Sequence, residues 1–197
     1  AQAALENDQP ARSVEITDDE RKQWNMLQLL TQKPILYVCN VEEENAAKGN
    51  AHSDAVAKMA KEQGAGVVII SARIEEEISQ LDAEEAEMFL EEMGLEEAGL
   101  DRLIRAGYAL LHLETYFTVG PKEARAWTIT KGTKAPAAAG VIHTDFEKGF
   151  IRAETIAYDD YIANNGEAGA RDTGKLRLEG KEYVVADGDV MHFRFNT

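Results

Sequence analysis

Ile35-Leu36-Tyr37-Val38-Cys39-Asn40-Val41-Glu42-Glu43 is the stretch on which the fold turns. Its first five residues are apolar without alternation, Pro34 precedes them, and a polar loop follows. A run that short has strand length, and unbroken apolarity predicts a strand buried on both faces, as in a parallel sheet. Val67-Val68-Ile69-Ile70 repeats the pattern and ends at Ser71-Ala72. The residues between predict a loop and then a helix over about 53–63, closed by Gly64. Strand, helix, strand places two loops side by side at the carboxyl ends of parallel strands, the edge where open α/β sheets bind ligands. Asn40-Val41-Glu42-Glu43 occupies one loop and Ser71-Ala72 the other, a candidate pocket for a flat base. The competing reading of Glu43 is a solvated loop acid beside Glu42 and Glu44.

Upstream, residues 1–16 read as loop or fraying helix. Thr17-Asp18-Asp19-Glu20 is a capping-box pattern opening a helix to about Gln32, with Trp24, Leu27, Leu30 and Thr31 on one face. Downstream, residues 74–93 read as one acidic helix with Ile78, Leu81, Phe89 and Leu90 inward, broken by Gly94. Residues 100–113 read as a second amphipathic helix. After Tyr116 the pattern changes. Residues 124–129 alternate as a half-buried strand, and 136–140 form a short helix opened by Pro136. Residues 150–157, 183–186 and 190–195 supply further strands. A small mixed sheet crossed by a helix is the β-grasp, ubiquitin-like pattern, so the fold class expected is α/β with two parts.

The chain has 197 residues, 44% of them hydrophobic, enough for one large or two small cores. Its apolar runs are too short to span a membrane, and no membrane partner is expected. The first residues carry neither a basic cluster nor an apolar segment of the secretory kind, and the chain opens without Met, as a fragment does. The single cysteine, Cys39, excludes an intramolecular disulfide and fits a reducing, cytoplasmic setting as a buried strand residue. The net charge of −15 argues against bulk adhesion to nucleic acid. The charge is uneven, however. Residues 74–101 hold twelve acids and no Lys or Arg, whereas 121–153 hold six Lys/Arg against three acids. A surface that meets RNA belongs to the second stretch.

Four segments carry a family resemblance. KPILYVCNVEE (33–43) looks like the base-recognition segment of the Obg-like ATPases, the YchF family of P-loop proteins, and Ile69-Ile70-Ser71-Ala72 like its next motif. GLDRLIRAGYALLHLETYFTVGPKEARAWTI (99–129) resembles the connector to that family's last domain, and IHTDFEKGFIRAET (142–155) resembles the TGS signature. The resemblance implies four parts. Residues 1–31 would be the returning arm of a helical hairpin insertion, and 32–93 the C-terminal part of the nucleotide-binding domain. Residues 94–113 would be a helical connector, and 114–197 a TGS β-grasp domain. It also implies a translation-associated nucleotide hydrolase using ATP, or GTP, with Mg²⁺ in the full-length parent, and a ribosome or RNA partner for the TGS part.

Related GTPases read guanine with N-K-x-D, whose aspartate accepts from N1–H and the 2-amino group. Adenine lacks that amino group and its N1 is an acceptor, so a carboxylate there is repelled. Here Val41 replaces the lysine and Glu43 is one methylene longer, which removes the reason to prefer guanine. Asn40 can pair with adenine N6 and N7, and the resemblance implies that the backbone at Ser71 and Ala72 meets the base edge. In the TGS-like segment His143, Lys148 and Arg152 are the candidate RNA or ribosome contacts, beside Phe146 and Phe150, which read equally as sheet core. No G-x-x-x-x-G-K-[ST] occurs in the sequence, and Gly174-Lys175 and Gly180-Lys181 lack its spacing and hydroxyl. No catalytic residue and no metal ligand is therefore assigned, and the chain alone is expected to be inactive. The alternative is a non-enzymatic RNA- or ribosome-binding β-grasp module on a degenerate α/β scaffold. Full-length context separates the two readings.

Overall fold

The structure is a computed structural model and describes residues 1–196. The chain forms two compact units, Ala1–Leu110 and Leu111–Thr197. Among the described residues no helix is long and apolar enough to cross a membrane.

The first unit runs α1 (Gln2–Glu6), α2 (Asp18–Met26), β1 (Leu36–Asn40), α3 (Ala51–Glu62), β2 (Gly66–Ile70), α4 (Ala72–Ile78), α5 (Ala83–Glu92) and α6 (Gly99–Leu110). The Thr17 capping box opens α2, with the Thr17 amide donating to Glu20 Oε2 at 3.0 Å. The helix stops at Met26, not near Gln32. Gln28 takes φ 48°, a left-handed conformation that ends the helical path, and Leu30–Gln32 is a separate 3₁₀ turn. Thr31 leaves the helical face as a result, and its hydroxyl accepts the Ala11 amide at 3.1 Å.

β1 and β2 pair in parallel from Leu36↔Gly66 to Asn40↔Ile70. The expectation of burial on both faces fails for β1, where Val38 is 44% exposed. With only two strands, α3 and α6 leave one side of β1 open among the described residues. Asn50 starts α3 by accepting the amides of His52 and Ser53, two residues before the expected start.

The acidic stretch is two helices rather than one. Asp82 accepts the Glu84 and Glu85 amides, both at 3.0 Å, and so starts α5 as a new helix. A short side-chain acceptor offers the backbone this alternative to continuing the preceding helix. Ile74, Ala46 and Leu95 form the local core, with Ile78, Phe89, Leu90 and Met93 packed around it. One acid has a further structural role. Glu75 accepts the Gly99 amide at 2.7 Å and the Leu100 amide at 3.0 Å, capping α6 with a negative charge at the positive end of its dipole. A Cβ at residue 99 would stand 2.7 Å from the Glu75 carboxylate, so glycine keeps that cap accessible. α6 ends at Leu110, short of the expected Leu113, because His112 turns left-handed with φ 53°.

The second unit contains β3 (Leu113–Val119), β4 (Ala124–Thr130), α7 (Ala135–Ile142), α8 (Thr144–Lys148), β5 (Phe150–Ala157), α9 (Tyr158–Ala163), α10 (Glu167–Asp172), β6 (Arg177–Glu179) and β7 (Asp189–Phe195). The change in texture thus falls at Leu113, three residues before the aromatic at Tyr116. The five strands form one mixed sheet in the order β4-β3-β7-β5-β6, with β3 and β7 parallel neighbours and the other pairs antiparallel. Residues 183–186, expected as a strand, contribute a single bridge, Lys134↔Val184, while Val185 is buried at 2% exposure. Burial of one side chain, not strand pairing, explains that apolar pattern.

Tyr116, Ile129, Phe150, Ala153, Met191 and Phe193 meet Ala135, Ala138 and Ala139 of α7 in a single core. The alanines let α7 lie close to the sheet. Tyr116 is fully buried, and its hydroxyl donates to the Ala138 carbonyl at 2.9 Å, which satisfies both polar groups. Burial pushes its phenol pKa up. Asp189, 2% exposed, accepts from the Tyr183 hydroxyl at 2.6 Å, from the Ala186 amide at 2.9 Å and from Arg177 at 3.1 Å. Burial and this carboxylate push the Tyr183 phenol up to about 12.

Candidate functional site

The carboxyl ends of β1 and β2 are tied together by the residues singled out from the sequence. Asn40 Oδ1 accepts the Ala72 amide at 2.9 Å, and the Val41 amide donates to the Ile70 carbonyl at 2.9 Å. Ser71 is buried at 2% exposure and is the residue before α4, so Ala72 opens that helix with its amide aimed at Asn40. The geometry brings Asn40, Val41, Ser71 and Ala72 to one edge. It also modifies the expectation for Asn40. Its oxygen already holds Ala72, leaving Nδ2 as the donor and the second oxygen lone pair as the acceptor.

Glu43 opens the 3₁₀ turn Glu43–Asn45. It is not a free loop acid, since its carboxylate lies 2.7 Å from Arg73 Nε, and Arg73 also stands 3.9 Å from Glu77. Arg73 is a member of this edge that sequence reasoning missed. Its signal was present, because Arg73 is the last base before the twelve acids of residues 74–101 and lies two residues beyond the buried serine. The Arg73 side chain is 73% exposed, so the pair contributes little stability.

In the second unit the predicted contacts separate. His143 is the N-cap of α8, with Nδ1 accepting the Asp145 amide at 3.2 Å. Phe146 stacks on Phe195 with centroids 3.8 Å apart, and Phe150 is in the core. The aromatic part of this segment is therefore structural. Lys148 ends α8 in an exposed position. Arg152 lies opposite Arg194 in the sheet, so both project to the face away from α7. Glu154 sits between them. It accepts two bonds from Arg194, at 3.2 and 3.1 Å, with Arg152 and Arg171 each 4.0 Å away. The Arg194 hydrogen bond holds the Glu154 carboxyl below its ordinary range despite its desolvation. Arg171 and Arg194 lie outside the basic stretch read from the sequence; strand register joins Arg194 to Arg152, and the placement of α10 brings Arg171 beside them.

These features define an α/β protein built from a parallel strand pair with a polar two-loop edge and a five-stranded mixed sheet. The chain belongs to the YchF/Obg-like ATPase family, as a segment spanning about half the length of the relatives it matches. Residues 113–196 match the family model YchF-GTPase_C, described as a protein of unknown function, DUF933. The chain is 57% identical over 195 residues to the ribosome-binding ATPase YchF of Bacillus subtilis, covering 98% of this chain and 53% of that protein. It is 43% identical over 183 residues to the Obg-like ATPase 1 of Rattus norvegicus, covering 91% and 46% respectively. The structure of the Schizosaccharomyces pombe YchF GTPase superposes with a TM-score of 0.81 at 38% identity, over 98% of this chain and 52% of that one.

Proposed function

We propose that this segment reads the base of a nucleotide, preferring ATP to GTP, in a ribosome-associated nucleoside-triphosphate hydrolase. Its mixed-sheet unit, residues 111–197, is then a β-grasp domain of the TGS type that meets the ribosome. The observation that carries the base-reading half is the bond from Ala72 N–H to Asn40 Oδ1, which joins the loops following both strands. Asn40 Nδ2 then donates to adenine N7, and Oδ1 shares its second lone pair with the 6-amino group. Glu43, drawn to Arg73, does not present a free carboxylate to the N1–H and 2-amino donors of guanine. Val41 offers no long cationic side chain to the ring. Mg²⁺ neutralises phosphate charge when bound, and the residues assigned in this segment address the base rather than the phosphates. The names of the relatives support the ribosome half of the reading.

Competition binding of ATP and GTP to a full-length protein carrying this segment tests the first half. Glu43→Asp with Val41→Lys is expected to shift preference toward GTP, and an unchanged ratio places base reading elsewhere. Co-sedimentation of the 197-residue chain with ribosomes at several salt concentrations tests the second half. If Lys148 and Arg152 each neutralise one phosphate, replacing both with Ala lowers the log–log salt slope by roughly 1.4 to 1.8 units. Equal slopes would make both residues solvated surface only.

A further inference from the structure

The five-stranded sheet has two edges, and they differ in protection. β6 is three residues long and carries an ion pair between Arg177 and Glu179 at 3.7 Å. β4, at the other edge, is seven residues long, pairs with β3 at all seven positions without a bulge, and contains no proline. The bonds beyond its two ends set the phase of that pairing. The Lys131 amide donates to the His112 carbonyl at 2.7 Å, and the Gly120 amide to the Glu123 carbonyl at 2.8 Å. Hydrogen-bonded pairs alternate along an antiparallel ladder, so Arg125, Trp127 and Ile129 turn their backbone groups toward β3. The N–H and C=O of Ala124 and Ala126 therefore point outward from the sheet. Edges of this length are ordinarily blunted by charges, prolines or bulges. The one charge on β4, Arg125, lies back over its own Trp127 ring, 4.1 Å from the centroid, and leaves the edge open.

We infer that β4 is a self-association surface, which pairs antiparallel with β4 of a second copy of this chain about a two-fold axis at Ala126. The surface is independent of the base-reading and ribosome-binding readings. Charge complementarity selects a second copy as the occupant. With the axis at Ala126, the two Ala126 residues exchange N–H···O bonds, and Ala124 faces Thr128 of the second copy. Arg125 then stands opposite Trp127 of the second copy, in a non-hydrogen-bonded pair, where facing side chains are closest. Each guanidinium is held between two indole rings. Glu123 lies diagonal to Lys131 of the second copy, within reach of long side chains, and this contact occurs twice. Both side chains are accessible, since Glu123 is exposed and Lys131 is 71% exposed. Other registers match less well. An axis at Arg125 opposes Arg125 to itself, and an axis at Trp127 sets Arg125 against Ile129, which is buried at 4% exposure. On the opposite face Ala124 and Ala126 are small, so no long β4 side chain there obstructs the approach.

The test is the oligomeric state of the intact 197-residue chain. Sedimentation velocity is expected to show monomer giving way to dimer as concentration rises from about 5 to about 500 µM, the mass-action behaviour of a small interface. In a Cys39→Ser background, Ala126→Cys is expected to form an intermolecular disulfide on mild oxidation. The two Cα atoms at that position face each other at about 5.5 Å, within disulfide range. Ala124→Cys is expected to stay reduced, because a four-residue offset holds its two Cα atoms about 14 Å apart. Ala126→Pro removes an outward N–H and spares the β3 ladder. It is expected to weaken association by about 5- to 150-fold, since each dimer loses two hydrogen bonds. Glu123→Lys is expected to weaken association as well, and Glu123→Lys with Lys131→Glu to restore it. Far-ultraviolet circular dichroism checks that each variant is folded, and the cysteine pair decides the matter if Ala126→Pro is not. A chain that stays monomeric throughout, Ala124→Cys cross-linking as readily as Ala126→Cys, or a folded Ala126→Pro with unchanged association overturns the inference.

Discussion

At the scale of the residue, the structure adds partners to the side chains that the sequence singles out. The sequence predicts both amide atoms of Asn40 on a base, and in the structure its oxygen also accepts the Ala72 amide, leaving the second lone pair. Glu43, which the sequence offers as a base-facing or a solvated acid, pairs with Arg73. In a full-length protein carrying this segment, Arg73→Ala is expected to free Glu43 and narrow the preference for ATP over GTP. The shift is at most about fivefold, since an exposed ion pair is worth up to ~1 kcal/mol. Equilibrium competition between the two nucleotides measures it, and a widened preference would contradict the role given to Arg73. Tyr183 makes a pH-dependent prediction. Its phenol is held protonated to about 12 in the folded chain, against about 10 when unfolded. The unfolded state therefore loses this proton first. The contribution of Tyr183 is complete below about pH 10 and declines as pH rises toward 12. Denaturant unfolding at pH 8 to 11.5 is expected to show falling stability above pH 10, with a shallower fall in Tyr183→Phe. Tyr116 supplies the slope that remains.

At the scale of the element, helix boundaries went to local acceptors rather than to apolar periodicity. The pattern of Ile78, Leu81, Phe89 and Leu90 fits one helix, and the same residues serve two helices equally well once Asp82 starts the second. Asp82→Ala is expected to destabilise the first unit by about 1 kcal/mol, the usual effect of losing an N-cap. Hydrogen exchange should quicken first at the Glu84 and Glu85 amides, which lose their acceptor. No change there would mean that the core around Ile74 alone sets the break. The capping box of α2 was legible because its two partners are three residues apart. The Glu75 cap on α6 was not, because its partners are 24 and 25 residues away in the chain.

At the scale of the whole molecule, the two units differ in charge. Residues 111–197 hold eleven Lys/Arg and thirteen Asp/Glu, so most of the excess negative charge resides in the first 110 residues. The five-stranded sheet closes around its own core, with Tyr116, Phe150 and Phe193 all within the second unit. Residues 111–197 expressed alone are therefore expected to unfold cooperatively, with dispersed amide resonances. Co-sedimentation with ribosomes should be retained by this piece and weakened by added salt. A molten, non-cooperative product would show that the first unit is needed to complete the fold.

The sequence by itself determined the strand–helix–strand order, the two loops at the strand ends and the glycine and cap signals. These depend on residues within a few positions of one another. It also carried the family, through motifs long enough to be specific. Tertiary structure alone decided which apolar residues stay exposed, as at Val38, because burial depends on how many strands and helices arrive from elsewhere. It alone made Val185 a core residue without a strand. It also brought Arg152, Arg171 and Arg194 around Glu154, and Phe117 beside Tyr158, since strand register and helix placement join positions 19 to 42 residues apart that no local pattern connects.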